Sequence, residues 1–228
     1  MRAPISVIIP TLNTTPLLRD TMLSLMEGLD AGLVREWILS DGGSTDGVEK
    51  MADFVGAELV TGPAGRGGQL VRGAEVAQGD WLLFLHADTW MPEGWAEETV
   101  QHLAQSYERA LVYSLSFREA KGLAPKIFAG WANLRTKLFG LPYGNQALLI
   151  SRELYDGIGG FPDMPVMEDV EIARRLRGRI DLSPLCVRTD PACFQTSGWW
   201  RQAGRSLWHL LRFRLGGGAA RISKDSRL

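Results

Sequence analysis

The chain has 228 residues, 45% of them hydrophobic and 22% charged, with a net charge of -1. That is long enough to bury a substantial core and too balanced to suggest a nucleic-acid partner. Its two cysteines, Cys186 and Cys193, match neither a common zinc spacing nor a disulfide framework, so free thiols in a reducing compartment are expected. No signal-peptide pattern opens the sequence and no run approaches the ~18 apolar residues that span a bilayer, so a cytoplasmic location is expected.

In chain order, Ile5–Ile9 is β-branched and nearly all apolar, a strand covered on both faces that Pro10 is expected to end. A helix over Pro16–Gly28 follows, with Thr14 or Thr15 as its cap. Trp37–Ser40 reads as the second strand and 41–47 as a loop. A helix is expected from about Val48, and Glu58–Val60 is a third strand. Leu70, Ala74 and Ala77 recur at helical spacing, and Trp81–Leu85 is the clearest buried strand. His102 is placed on a surface helix. The second half is less regular: a strand over Leu111–Phe117, a helix over Lys126–Phe139 carrying Trp131, a strand over Gln146–Ile150 and a helix over Met167–Arg177. The rhythm predicts an α/β domain with a mainly parallel central sheet flanked by helices. We read one domain over 1–228, with a donor-binding half to about 118 and an acceptor-binding half from about 119.

Ligands collect at the carboxyl ends of such strands. Three polar clusters sit there: Thr11–Asn13, Asp41–Asp46 and His86–Asp88. The i, i+2 spacing of His86 and Asp88 points both side chains one way and Ala87 the other. Asp88 there suits a hard divalent ion that bridges diphosphate oxygens; the plain alternative is an acid that satisfies a turn. Arg66 begins a helix in a Gly65–Gly68 setting, either an anion site or a glycine-rich turn with a solvated arginine. The segment fits neither a P-loop nor a dinucleotide fingerprint. Asp41 can face a nucleobase or ribose, or close an Asx-turn. Glu168 and Asp169 open a helix, where a carboxylate is stabilised as the anion: a proton acceptor, or ordinary dipole compensation. No Gly-x-Ser-x-Gly elbow or histidine triad is present.

Together these clusters resemble the family 2 glycosyltransferases of the GT-A fold, over about residues 4 to 190. The carriers are Ser6–Asn13, Leu39–Gly47, Phe84–Thr89 and Gly159–Pro162 followed by Met167–Glu171. Closer still, the chain resembles a small bacterial branch with His-Ala-Asp in place of Asp-x-Asp and a Leu-Pro-Tyr-Gly stretch, here Leu141–Gly144. The resemblance implies that the turn from Pro10, with Thr11, Asn13 and Asp41, holds base and ribose. It implies that Arg66 lies near base or diphosphate and that Asp88 binds manganese or magnesium. Asp169 would be the general base of an inverting transfer, and Glu168 would support it or meet the acceptor. Two departures stand out: His86 replaces the first acid of the metal motif, and Asn145 stands where related chains often carry one.

A sugar nucleotidyltransferase is a rival, but the turn Pro10–Asn13 has no glycine for a phosphate loop. A non-catalytic nucleotide-sugar-binding protein is another. The expected partners are a nucleotide-diphosphate sugar and a hydroxyl acceptor, lipid-linked in one version. The stretch 199–228 carries seven basic residues and one acid, and Trp200, Leu207, Trp208, Leu211 and Leu215 fall near one helix face. That segment is read as docked on the body or on a second subunit, a homodimer in the latter case. The alternative is a peripheral contact with anionic lipid.

Overall fold

The computed structural model describes residues 3–192 together with 194, 198, 199, 201, 204 and 208. Trp200, Leu207, Leu211 and Leu215 of the expected C-terminal helix, and Cys193, lie outside the described residues. No described helix is long and apolar enough to cross a membrane.

The strands are β1 (Ile5–Thr11), β2 (Val34–Asp41), β3 (Glu58–Thr61), β4 (Trp81–Phe84), β5 (Thr89–Trp90), β6 (Ala110–Phe117), β7 (Leu148–Ser151) and β8 (Ile180–Thr189). The helices are α1 (Thr15–Asp30), α2 (Val48–Val55), α3 (Arg66–Val76), α4 (Trp95–Gln105), α5 (Leu123–Phe139), α6 (Arg152–Gly157) and α7 (Glu168–Leu176). The strands form one sheet in the order β3-β2-β1-β4-β7-β6-β8-β5. It is parallel through β3, β2, β1 and β4 and mixed beyond, where β7 runs antiparallel to β4 and β6, β8 runs parallel to β6, and β5 runs antiparallel to β8.

Side-chain alternation divides the core into two layers. Ile5, Val7 and Ile9 of β1 and Trp81 and Leu83 of β4 pack with α1, α2 and α4. Ile8, Leu82 and Phe84 point the other way, onto Leu70 and Ala74 of α3, Leu154 and Tyr155 of α6 and Ile172 of α7. These strands are apolar at nearly every position because both faces are covered.

Four expectations need correction. Pro10 does not end β1 but pairs with Ser40 inside it. Ile8 accepts from Leu85 N on the β4 side. Pro10 has the same parity, so its missing N–H falls beyond the last β1–β4 pair, Ile8 with Phe84, and costs the ladder no bond within β4. His102 is buried, not on the surface: it lies edge-on to Trp81, and its Nε2 is 3.1 Å from the Arg109 carbonyl. The strand expected from Gln146 begins at Leu148, because Gly144–Gln146 forms a 3-10 turn and Ala147 has φ 51°. Thr14 stands at the N-cap of α1 as expected, but its side chain makes no capping bond; the Asp46 carboxylate accepts from Thr15 N at 2.8 Å instead.

Candidate active site

The parallel strands end together, Thr11 beside Asp41 and Asp41 beside Thr61. Strand β1 lies between β2 and β4, so the chain turns in opposite directions on its two sides. A crevice opens at such a switch point, outside the carboxyl ends of the strands. Here it is a cleft of about 380 Å³ lined by Pro10, Thr11, Arg66, Gln69, His86 and Asp88, with Pro165 and Val166 at its mouth.

The loops under the cleft are tied to one another. Asp41 is buried, and its carboxylate accepts from Thr11 Oγ1 at 3.0 Å, Gly43 N at 2.7 Å, Ser44 N at 2.8 Å and Ser44 Oγ. These fill the roughly four acceptor positions of a carboxylate. Burial acts to raise its pKa, but the Ser44, Gly43 and Thr11 donors together hold it below the usual range. Asn13, at φ 54°, accepts from Thr45 N at 2.9 Å, and its own N–H donates to Ser44 Oγ at 2.8 Å. Neither Asn13 nor Asp41 is among the residues that line the cleft. Gln69, which sequence reasoning missed, donates to the Thr11 carbonyl at 2.7 Å and the Ser40 carbonyl at 2.9 Å. Its only signal was a glutamine next to the apolar face of a helix.

The glycine-rich start of α3 is not an open anion cradle. Gly67 N donates to the Met164 carbonyl at 3.0 Å. A Cβ on Gly67 would lie 2.4 Å from the Pro162 carbonyl oxygen, so glycine is what allows the 162–165 segment to sit on α3. Arg66 turns from the helix end to form an ion pair with Glu168.

On the other lip, His86 and Asp88 leave the end of β4 on one side, with Nδ1 3.9 Å from Oδ1, while Ala87 enters the core. Burial, with Arg66 nearby, pushes His86 down to about 3, so the imidazole is neutral at pH 7. Burial raises the Asp88 pKa, and the charge of Asp190 adds to it. Asp190 N donates to the Asp88 carbonyl at 3.0 Å. No group of three or more potential ligands for a metal occurs among the described residues. A neutral imidazole beside a carboxylate is nonetheless a donor set that fits a divalent cation.

Glu168 and Asp169 begin α7. Glu168 is 1% exposed, and its Oε2 has no hydrogen-bond partner among the described residues. Burial pushes its pKa up to about 7; Arg66 opposes the shift and Asp169 adds to it. The Asp169 carboxylate accepts from Gly144 N at 3.1 Å and Val170 N at 2.9 Å. A Cβ on Gly144 would come within 2.9 Å of His86 Nε2 and 3.8 Å of Asp169 Cβ, so glycine lets these two side chains approach across it. Under this junction lies a narrow apolar cavity reached by His86, Glu168 and Asp169, with Phe84, Phe161 and Ile172 in its wall. The structure therefore brings Pro10, Thr11, Arg66, His86, Asp88, Glu168 and Asp169 together and leaves Asn13 and Asp41 behind them.

The family model for glycosyl transferase family 2 matches residues 6–134, more than half of the chain. No curated protein matches it. Among solved structures, TarS 1-349 of S. aureus has 19% identity and a TM-score of 0.62, over 84% of this chain and 62% of that one. The chain thus spans less than two thirds of that structure. Glucosyl-3-phosphoglycerate synthase from Mycobacterium tuberculosis, solved with Mn2+, UDP and glucosyl-3-phosphoglycerate, has 24% identity and a TM-score of 0.56, over 82% and 70% of the two chains. The mannosyltransferase PcManGT from Pyrobaculum calidifontis, solved with GDP-Man and Mn2+, has 20% identity and a TM-score of 0.60, over 82% and 57%. The shared architecture is the GT-A fold, and the chain belongs to glycosyl transferase family 2.

Proposed function

We propose that the chain transfers a sugar from a nucleoside-diphosphate donor to an acceptor hydroxyl, with inversion at the anomeric carbon and with the help of a divalent cation. The observation that carries this reading is the cleft at the β1/β4 switch point, with Asp88 and neutral His86 on one lip, Arg66 on the other and Asp169 next to His86 across Gly144. Residues to about 118 serve the donor, and residues from about 119 serve the acceptor.

In this reading Pro10 and Thr11 form the floor for the nucleoside, while Asn13 and Asp41 hold that floor in shape. Arg66 gives the diphosphate a planar cation. Manganese or magnesium, held by Asp88 with His86 beside it, would supply charge to the departing nucleoside diphosphate. Asp169 takes the proton from the acceptor hydroxyl as the new bond forms, because an unactivated hydroxyl is a poor nucleophile. Two of its acceptor positions are used by Gly144 and Val170, which fix the carboxylate and leave the others for the incoming proton. Glu168 supports Asp169 and holds Arg66 at the edge of the cleft.

The test is a panel of UDP-, GDP- and TDP-sugars with manganese or magnesium and simple hydroxyl acceptors. Free nucleoside diphosphate and a product of opposite anomeric configuration are expected. Pyrophosphate release, or retention of configuration, would overturn the reading.

A further inference from the structure

Helix α5 carries an apolar face that does not enter the core. Leu123, Ile127, Trp131, Leu134 and Leu138 are between 46% and 75% exposed. At 3.6 residues per turn they fall within about 80° of one another and run the length of the helix, about 25 Å. The opposite face does the packing: Phe128, Ala132 and Thr136 are buried. The α5 stripe is thus a second apolar face, additional to the one that folds the protein.

The exposed charges on α5 itself are of one sign. Helix α5 contains Lys126, Arg135 and Lys137 and no acid, and Lys121 precedes it. Lys126 and Lys137 are exposed on the border of the stripe. At its C-terminal end the stripe meets a groove lined by Phe139, Leu141, Arg174 and Arg177. Phe128 of α5 is also in ring contact with Phe194 and Trp199.

We propose that the α5 face is a docking surface for an anionic lipid bilayer. An exposed apolar stripe with a tryptophan and a lysine border is the pattern of a helix that lies in the interface plane. Charge complementarity selects the occupant. An antiparallel second copy would set Lys126 of each helix beside Lys137 of the other, like charges on one border, whereas an anionic leaflet attracts each of them. Docking here would hold the acceptor half against the membrane surface, where a lipid-borne hydroxyl would be at hand.

The test uses the full chain and vesicles of phosphatidylcholine alone or mixed with phosphatidylglycerol. Cosedimentation should be strong with the mixed vesicles, weak with the neutral ones, and reduced by added salt. Replacing Lys126→Gln and Lys137→Gln together should weaken binding about thirtyfold. Replacing Ile127→Gln, Trp131→Gln and Leu134→Gln should weaken it by at least roughly tenfold, with an unchanged circular dichroism spectrum because these side chains are outside the core. No binding by the unaltered chain would overturn the proposal. So would concentration-dependent self-association that the apolar triple variant abolishes. Binding that survives both α5 variants and disappears only with Arg212→Gln and Arg214→Gln would overturn it too, assigning the contact to the C-terminal segment.

Discussion

The two sides of the cleft treat Asp41 and Glu168 in opposite ways, although Ser40 Oγ and Asp46 Oδ1 on the first side are also buried without a partner among the described residues. Under the nucleoside floor, Asp41 has every acceptor position filled from within, Asn13 and Ser44 bind each other's loops, and Gln69 joins two strand ends. Across the cleft, Glu168 has a buried oxygen without a partner among the described residues, the Asp88 pKa is raised by burial and by a like charge, and Asp169 accepts from Gly144 and Val170 alone among the described residues. Satisfied polar groups make a rigid platform, while unsatisfied ones are stabilised by what binds next. The first side is built to hold a shape and the second to meet charge that arrives with substrate. Substitutions of Asp169 and Asp88 should therefore change chemistry at nearly constant stability, and those on the first side should change stability and donor binding together.

The largest effect is expected at Asp169. Asp169→Asn is nearly isosteric and keeps one oxygen to accept from Gly144 N while giving up the Val170 N bond, so it should cost at most about 1 kcal/mol of stability and leave donor binding intact. Turnover should fall about 10²–10⁴-fold, the usual contribution of a general base. Near-normal turnover would reduce Asp169 to a tie between α7 and the Gly144 turn. Next comes Asp88→Ala, expected to lower metal-stimulated turnover by roughly a hundredfold or more, since a cation supplies several kcal/mol of charge stabilisation at such sites. Calorimetry sharpens this case. With so few protein ligands, manganese should bind weakly alone and much more tightly with UDP. Equal affinity with and without UDP would show that the protein alone completes the metal shell.

How much of this was legible in the sequence follows the same division. Strands β1 and β4 were readable because they are apolar on both faces, a signal contained within the segment itself. Strand β8 was not: Pro184 interrupts its pattern, and in the structure Pro184 and Leu185 fall in a register shift between Tyr113 paired with Ser183 and Ser114 paired with Cys186. The cleft clusters were visible because each follows a strand, but their roles depend on partners some 30 residues away. Asp41 read equally well as a nucleotide contact or as a turn, and only the approach of Thr11 shows that its acceptor positions are taken. The helix 126–139 and Trp131 were anticipated, but which face it exposes is decided by what packs on the other.

An intermediate effect belongs to the platform. Gln69→Leu keeps volume and helix propensity but removes a donor shared by the buried ends of β1 and β2. A loss of about 1–3 kcal/mol in chemical denaturation is expected, the usual cost of leaving a buried polar group unpaired. Donor KM should rise as Thr11 loosens, while kcat at saturating donor changes little. A fall in kcat with KM unchanged would mean that the platform also positions the reacting groups, and the contrast between the two sides would fail.

The smallest effect on turnover is expected at Glu168. Glu168→Gln preserves shape and leaves Asp169 in place, so turnover should change only a few-fold. Its signature lies in the pH dependence of stability. Burial pushes Glu168 up to about 7 from an ordinary value of 4.5. The folded protein therefore binds this proton more tightly than the unfolded chain does. Between about pH 4.5 and 7 the unfolded chain is increasingly ionised at this position while the folded protein keeps the proton, so stability falls as pH rises. Below 4.5 both states are protonated and the contribution is complete; above 7 it is gone. Glutamine has no proton to release, so the variant should lose this part of the slope and be the less pH-sensitive protein across that window. The measurement is the thermal midpoint of both proteins from pH 4 to 8. Identical profiles would mean that the Arg66 ion pair keeps Glu168 ionised throughout, and that burial is outweighed by its partner.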